Sequence, residues 1–431
     1  LKRKIDKYLI EWKKSKNKMP LIVKGARQIG KTESIKNFGL NNYKSLIEIN
    51  FVLQPEYKDI FDKGFEIDRV IKDITLKNGN FQFIPGETLI FFDEIQDYPS
   101  CATALKAFRE DGRFDIICSG SLMGINYEEI ESNSVGNKID YIMHSLDFEE
   151  YLWAKGYSNE QIEDLYQCMI KNEPLSKIQY DVMMENFQEY MIVGGMPEVV
   201  QTFIDTNNFQ EASKIQGKIL ADYQDDISKH AKGQEKIKVR QCYDSIPKQL
   251  AKEYKKFQYS VVEKGKTSKK YGGSIKWLCD SSLVNKCSNV NEAYIPLLAY
   301  EMDDQFKLYL NDTGLLLYLY GPETKLAILN NTLKGNAKGG IYENIISESL
   351  LKRGYKLYYY KTQNSSMEIE FVIEKNGEVI PIEVKAGNDS TPSLNSFINK
   401  YHPKVSYKFV NGNVGFLDGK KTLPHYMVMF I

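Results

Sequence analysis

The chain has 431 residues, and its 57 Lys and Arg balance its 57 Asp and Glu, so the formal net charge is zero. That length exceeds what one hydrophobic core supports and predicts about three or four domains, while no apolar run approaches the ~18 residues of a membrane helix. No signal-peptide pattern opens the chain, its six cysteines form no CxxC pair, and its four histidines (His144, His230, His402, His425) lack metal-ligand spacing. These features predict a cytoplasmic protein with reduced thiols, in which any metal is held by oxygen.

Apolar positions in Ile5-Asp6-Lys7-Tyr8-Leu9-Ile10-Glu11-Trp12 recur at helical spacing and predict a helix against the edge of a sheet. Next, Leu21-Ile22-Val23 leads as a strand into Gly25-Ala26-Arg27-Gln28-Ile29-Gly30-Lys31-Thr32, with Glu33 continuing into a helix. Glycines at both ends let successive backbone N–H groups curl around a β-phosphate, and the helix adds the positive end of its dipole. Residues 25–33 therefore read as a nucleotide-binding loop for ATP. Lys31 is expected to bridge the β- and γ-phosphates, and Thr32 to hold Mg²⁺.

Tyr43 to Phe51 reads as a second strand, followed by helices through Asp59-Ile60-Phe61 and Val70-Ile71. The unbroken apolar run Thr88-Leu89-Ile90-Phe91-Phe92 then stops at Asp93-Glu94, as expected of a strand buried on both faces of a parallel sheet. Alone, the two acids are a solvated strand end. Beside a phosphate loop, Asp93 is expected to act on Mg²⁺ through its water shell, and Glu94 to orient or deprotonate the attacking water. A further strand, Phe114 to Cys118, ends in Ser119-Gly120-Ser121, where a serine either senses the γ-phosphate or forms a turn. The pattern is that of a doubly wound α/β core over residues 1–147.

From Phe148 the period becomes helical, and Gly194-Gly195-Met196-Pro197 separates two helices of an expected lid over 148–229. Between Lys229 and Lys276 fourteen Lys and Arg stand against Glu235, Asp244, Glu253 and Glu263. Such an excess is either a nucleic-acid footprint or a solvated lysine-rich face. Helices over 239–257 and 271–283, then a hairpin pairing 294–300 with 306–310, predict a winged helix-turn-helix over 230–325. The last domain, 335–431, is expected to carry a helix near Gly340, strands 355–360, 368–374 and 379–385, a helix 393–401 and a strand 406–410. Glu383 and Lys385 share a strand face opposite Glu370. That is either a two-carboxylate Mg²⁺ site with an amine beside it, or a salt-bridged strand.

Taken together, Gly25 to Thr32, Phe91 to Glu94, Ser119 to Ser121, Leu146 to Glu150, Gly194 to Pro197, Asp225 to Lys229, Lys307 to Leu316, Tyr342 to Asn344 and Pro381 to Lys385 cover nearly the whole chain. This combination resembles a large family of bacterial and archaeal AAA-type ATP-binding proteins that end in a restriction-endonuclease-like domain. The resemblance implies a P-loop NTPase (AAA-like) core with helical lid, winged helix and a C-terminal nuclease-like α/β domain of the PD-(D/E)xK kind. It also implies that Glu343, Glu370, Glu383 and Lys385 form the nuclease-like motif. Two departures bear on activity. Relatives carry Asp at the position of Glu370, whose longer side chain displaces the carboxylate and argues against cleavage. Relatives also show Gly-Arg where this chain has Gly136-Asn137-Lys138, leaving Arg109 and, ranked first, Arg113 as candidates for a catalytic arginine. The expected activity is an ATP-hydrolysing switch or motor that acts on nucleic acid, DNA rather than RNA, with no membrane partner. A neighbouring subunit of a homo-oligomer could complete its site. The rival is an ATP-binding regulatory scaffold whose C-terminal domain docks without cutting.

Overall fold

The computed structural model describes residues 1–122, 136–231, 233, 235–265, 268–362, 367–387 and 390–431. The chain divides into two compact units, Leu1–Ser145 and Leu146–Ile431.

In the first unit the strands β1 (Leu21–Gly25), β2 (Ser45–Asn50), β3 (Thr88–Asp93), β4 (Asp115–Ser121) and β5 (Ile139–Ile142) form a sheet of order β2-β3-β4-β1-β5. Every pairing in it is parallel. Helices α1 (Lys4–Lys14), α2 (Lys31–Asn42), α3 (Ile67–Lys77) and α4 (Ser100–Asp111) accompany the sheet. Both β1 and β3 are buried at every position, which is why their sequences run apolar without alternation. Ile47, Ile49, Val70, Ile74, Phe92, Leu105 and Phe108 share one core. Register then sets the chemistry, because Gly25 lies opposite Ser121 and Asp93 opposite Asn50. The phosphate loop, the acid and the small polar residues thus meet at the carboxyl ends of the strands, where open α/β sheets place ligands.

The second unit opens with α5 (Phe148–Ala154), α6 (Asn159–Lys171), α7 (Lys177–Val193), α8 (Pro197–Thr206), α9 (Phe209–His230), α10 (Glu235–Leu250) and α11 (Ser268–Asp280). Starts are marked in the sequence: Asp147, Ser158 and Ser176 accept from the N–H three residues on, and Pro197 occupies the first turn of α8. Next come β6 (Val284–Val290), β7 (Glu301–Leu310), α12 (Thr313–Tyr320), α13 (Pro322–Leu329), α14 (Asn336–Lys352), β8 (Tyr358–Lys361), β9 (Glu368–Lys375) and β10 (Glu378–Val384). The chain closes with α15 (Pro392–Tyr401), β11 (Ser406–Val410), β12 (Gly415–Leu417) and β13 (Lys420–Pro424). The eight strands β6 to β13 form a single sheet of order β12-β13-β11-β10-β9-β8-β6-β7.

Two expectations change here. The hairpin pairs 284–290 with 301–310 rather than 294–300 with 306–310, since Leu297–Tyr300 is a short 3₁₀ turn. Pro296 has no N–H for a ladder, and Tyr294, Ile295 and Leu298 are exposed, so that apolar run is a loop. The hairpin also does not stand apart from the 335–431 region: β6 pairs in parallel with β8, so both belong to one sheet. Among the described residues no helix is long and apolar enough to cross a membrane.

The helical part is locked to α12 through close glycine contacts. Gly195 N–H donates to Asp312 Oδ2 at 2.7 Å, and a Cβ on Gly194 would meet Asp312 Oδ1 at 2.2 Å. Glu348 accepts from Thr313 N–H at 2.9 Å and from its hydroxyl at 2.8 Å. The Gly194-Gly195 and Asp312-Thr313-Gly314 motifs are therefore two halves of one packed joint.

Candidate functional site

The loop between β1 and α2 has the backbone that its glycines predict. Gly30 (φ 89°) stands at the N-terminus of α2, and a Cβ on Gly25 would sit 2.3 Å from the Met143 carbonyl oxygen and 2.4 Å from Ile29 Cδ1. Only glycine fits at 25. Lys31 is buried, and its ammonium donates to the carbonyls of Gly25 at 3.0 Å and Ala26 at 2.7 Å. Burial pushes Lys31 down to about 8 against the opposing pull of Glu94 and Asp93. Both acids are thus within electrostatic reach of the ammonium.

Asp93 is the centre of the site. Its Oδ2 accepts from Thr32 Oγ1 at 3.0 Å and from Asn50 Nδ2 at 2.9 Å, and its Oδ1 accepts from the Ser119 hydroxyl and from Glu94 N–H at 3.1 Å. A carboxylate only 2 % exposed is thereby held by donors that are all neutral. Its negative charge stays available to a cation or to cation-bound water. Glu94 sits in the left-handed region (φ 57°), and Gln96 Nε2 donates to its Oε2. Gly120 makes room for that amide, since a Cβ there would lie 2.9 Å from Gln96 Oε1.

Of the predicted residues, the structure brings together Gly25, Gly30, Lys31, Thr32, Asp93, Glu94 and Ser119; Ala26, Arg27, Gln28, Ile29 and Glu33 complete the loop and the first turn of α2. Ser119 donates its hydroxyl to Asp93. Arg113 precedes β4, at the opposite end of that strand from Ser121, and within its own chain binds Asp68 at 2.6 Å and Asp111 at 2.7 Å. Two carboxylates within reach explain that placement. Arg109 likewise donates to Gly136 O at 2.7 Å, and Lys138 pairs with Asp140. Sequence reasoning missed Asn50, Gln96 and Arg3. The Arg3 guanidinium donates to Ile29 O at 2.9 Å and to His144 O at 2.7 Å.

The second constellation, in the C-terminal sheet, is assembled differently. Lys385 Nζ pairs with Glu383 Oε1 at 2.7 Å and Glu370 Oε1 at 3.2 Å. Glu343, on α14, receives Lys255 at 2.9 Å, Lys307 at 3.4 Å and the Tyr309 hydroxyl at 2.8 Å. Lys307 also reaches Glu368 at 2.8 Å, and Lys361 the other oxygen of Glu368 at 2.8 Å. Despite burial, Lys307 and Lys361 hold Glu368 down at about 2. Burial and then the neighbouring Glu383 carboxylate push Glu370 up to about 8. Lys307 and Lys255, on β7 and just after α10, carry no sequence signal for this role. His425 is buried, and its Nε2 is 2.9 Å from Lys385 O, which makes that nitrogen the donor and fixes the backbone behind the lysine. Among the described residues, no group of three or more His, Cys, Asp or Glu is disposed to hold a metal ion.

Family comparison matches residues 17–152 to the AAA domain, residues 184–326 to a domain of unknown function (DUF8612) and residues 338–425 to another (DUF4143). No curated protein matches the chain. Among solved structures, the Walker-type ATPase of Pyrococcus abyssi is similar at 14 % identity over 74 % of this chain and 95 % of that one, with a TM-score of 0.44. The Aeropyrum pernix ORC1 protein, solved in complex with DNA, is similar at 8 % identity over 77 % of this chain and 93 % of that one, with a TM-score of 0.25. Residues 17–152 are thus similar in sequence to the AAA domain, and the described residues of the first unit build a parallel α/β sheet of the P-loop NTPase kind.

Proposed function

We propose that this protein is a Mg²⁺-dependent ATP hydrolase that works as a switch or motor on nucleic acid, DNA rather than RNA. The observation that carries the ATPase reading is the buried carboxylate of Asp93, bonded to the Thr32 hydroxyl at the mouth of a glycine-cornered loop. ATP would lie with its β-phosphate against the N–H groups of residues 26–32 and its γ-phosphate beside Lys31. Mg²⁺, held by Thr32 and through water by Asp93, would neutralise charge on the phosphates. Glu94, positioned by Gln96, orients the attacking water and accepts its proton.

Nucleic acid would be gripped by α10, α11 and the β6–β7 hairpin, the elements of the winged-helix reading. Exposed Lys229, Lys236, Lys248, Lys256 and Lys264 support that surface. Arg240, by contrast, is tied to Gln224 O and Ser228, Lys238 to Glu235 and Lys270 to Glu263, while Lys232 and Lys266 lie outside the described residues.

For the C-terminal domain the docking reading is favoured over cutting. Glu343, which the nuclease-like motif would present to a metal, is neutralised by Lys255 and Lys307. Phosphate release, measured with and without single-stranded, duplex and branched DNA and RNA, tests both halves. Stimulation by DNA, loss of turnover in Lys31→Ala and trapping of ATP in Glu94→Gln are expected. Undiminished release from both variants would reject the site. Cleavage of DNA with Mn²⁺ that vanishes in Glu383→Ala would reject the docking reading.

A further inference from the structure

A phosphate loop can turn its N–H groups inward only if its carbonyls are satisfied on the outside. The Ile29 carbonyl, immediately before the helix-opening Gly30, is satisfied by a side chain recruited from far away. Arg3 Nη1 donates to it at 2.9 Å, and Arg3 Nη2 donates to His144 O at 2.7 Å. Arg3 is only 6 % exposed, and its own N–H is fixed by Asp6 Oδ2 at 2.8 Å at the start of α1. The wall behind the loop is shared with the segment after β5: Met143 N–H donates to Lys24 O at 2.8 Å, and the Met143 carbonyl fills the space that a Cβ on Gly25 would need.

We propose that Arg3 is a positioning residue for the nucleotide. Its planar fork clamps the Ile29 and His144 carbonyls together and so sets the loop curvature that receives the β-phosphate. The inference rests on the ATP reading above. Two features of arginine suit it to the task. The guanidinium stays charged at any working pH, and its donors are arranged in a rigid fork that lysine lacks. A buried cation behind the loop also adds to the field that favours a polyanion in front of it. Because the clamp shapes the loop before ATP arrives, its loss is felt in binding rather than in the chemical step.

The test is titration of the 431-residue chain with a fluorescent ATP analogue, together with steady-state hydrolysis, for wild type, Arg3→Met and Arg3→Lys. Arg3→Met is expected to weaken ATP binding and raise KM by about tenfold or more, with kcat kept within about twofold, and Arg3→Lys to fall between the two. Methylguanidinium added to Arg3→Ala is expected to restore part of the lost affinity. Arg3→Met binding ATP within about twofold of wild type, or kcat falling as far as kcat/KM, would overturn the inference while leaving the ATP site standing. A wild-type chain that binds no ATP would overturn the site and the clamp together. Should Arg3→Met fail to fold, Arg3→Lys decides: wild-type affinity there overturns the role of the fork.

Discussion

Two sets of carboxylates in this molecule are held by different kinds of partner. Asp93 is held by a hydroxyl from Thr32, a hydroxyl from Ser119, an amide from Asn50 and a backbone N–H. Glu343, Glu368, Glu370 and Glu383 are held largely by the ammonium groups of Lys255, Lys307, Lys361 and Lys385. Neutral hydrogen-bond donors orient the Asp93 carboxylate without forming an ion pair to it, although the Lys31 ammonium lies within electrostatic reach. In the second set lysines hold Glu343 and Glu368 in internal ion pairs, while burial and Glu383 push Glu370 up to about 8 beside Lys385. The difference teaches that acid spacing alone does not make a metal site. The partner that neutralises each acid decides.

Removing the charge on Asp93 should have the largest effect: Asp93→Asn is expected to lower Mg²⁺-dependent phosphate release by about a hundredfold or more while leaving the fold stable. Substantial turnover in that variant would erase the contrast. In the other set the cost should fall on stability. Lys307→Met leaves Glu343 and Glu368 undercompensated in the interior and is expected to cost about 3–5 kcal/mol in urea unfolding, with much of it returned by adding Glu343→Gln and Glu368→Gln. A single variant as stable as wild type would show that the lysine does not hold the cluster together.

Lys31 sharpens the comparison through pH. In the free protein it loses its proton from about 8 upward, whereas neighbouring phosphates would favour the charged form, so ATP binding takes up a proton above that point. Affinity should therefore fall as pH rises past about 8, by at most about tenfold per unit. Affinity flat from pH 7 to 10, measured by fluorescence titration, would contradict a Lys31–phosphate contact. The smallest change belongs to the surface. Lys276 and Asp280 stand 3.7 Å apart with both side chains exposed, and Lys276→Ala should move stability by less than about 0.5 kcal/mol. A loss above about 1 kcal/mol would mean that exposed pairs matter here as buried ones do.

What the sequence disclosed follows from distance along the chain. The loop at 25–32 and the strand ending at Asp93 are contiguous signals, and each is legible because a few neighbouring residues carry its whole geometry. Asn50 and Arg3 are not, because sheet register and a long-range hydrogen bond bring them in. Lys307 is hidden for another reason: its partners Glu343 and Glu368 lie on other elements, and β7 buries 306–310 so that the lysine is only 2 % exposed. Arg113 lies at the other end of the strand that carries Ser119, so nearness in sequence does not bring it to the phosphate loop of its own chain.

The pairing of β6 with β8 sets a limit on how this protein can be dissected. A fragment restricted to residues 338–425, the span of the second unknown-function match, would strip β8 of one neighbour and take Lys307 and Lys255 away from Glu343. An unpaired, aromatic strand edge beside an orphaned acid invites strand exchange and precipitation. A fragment that begins upstream of β6 keeps that edge covered, and only one that begins before Gly194 also keeps Lys255 on Glu343 and Gly195 on Asp312.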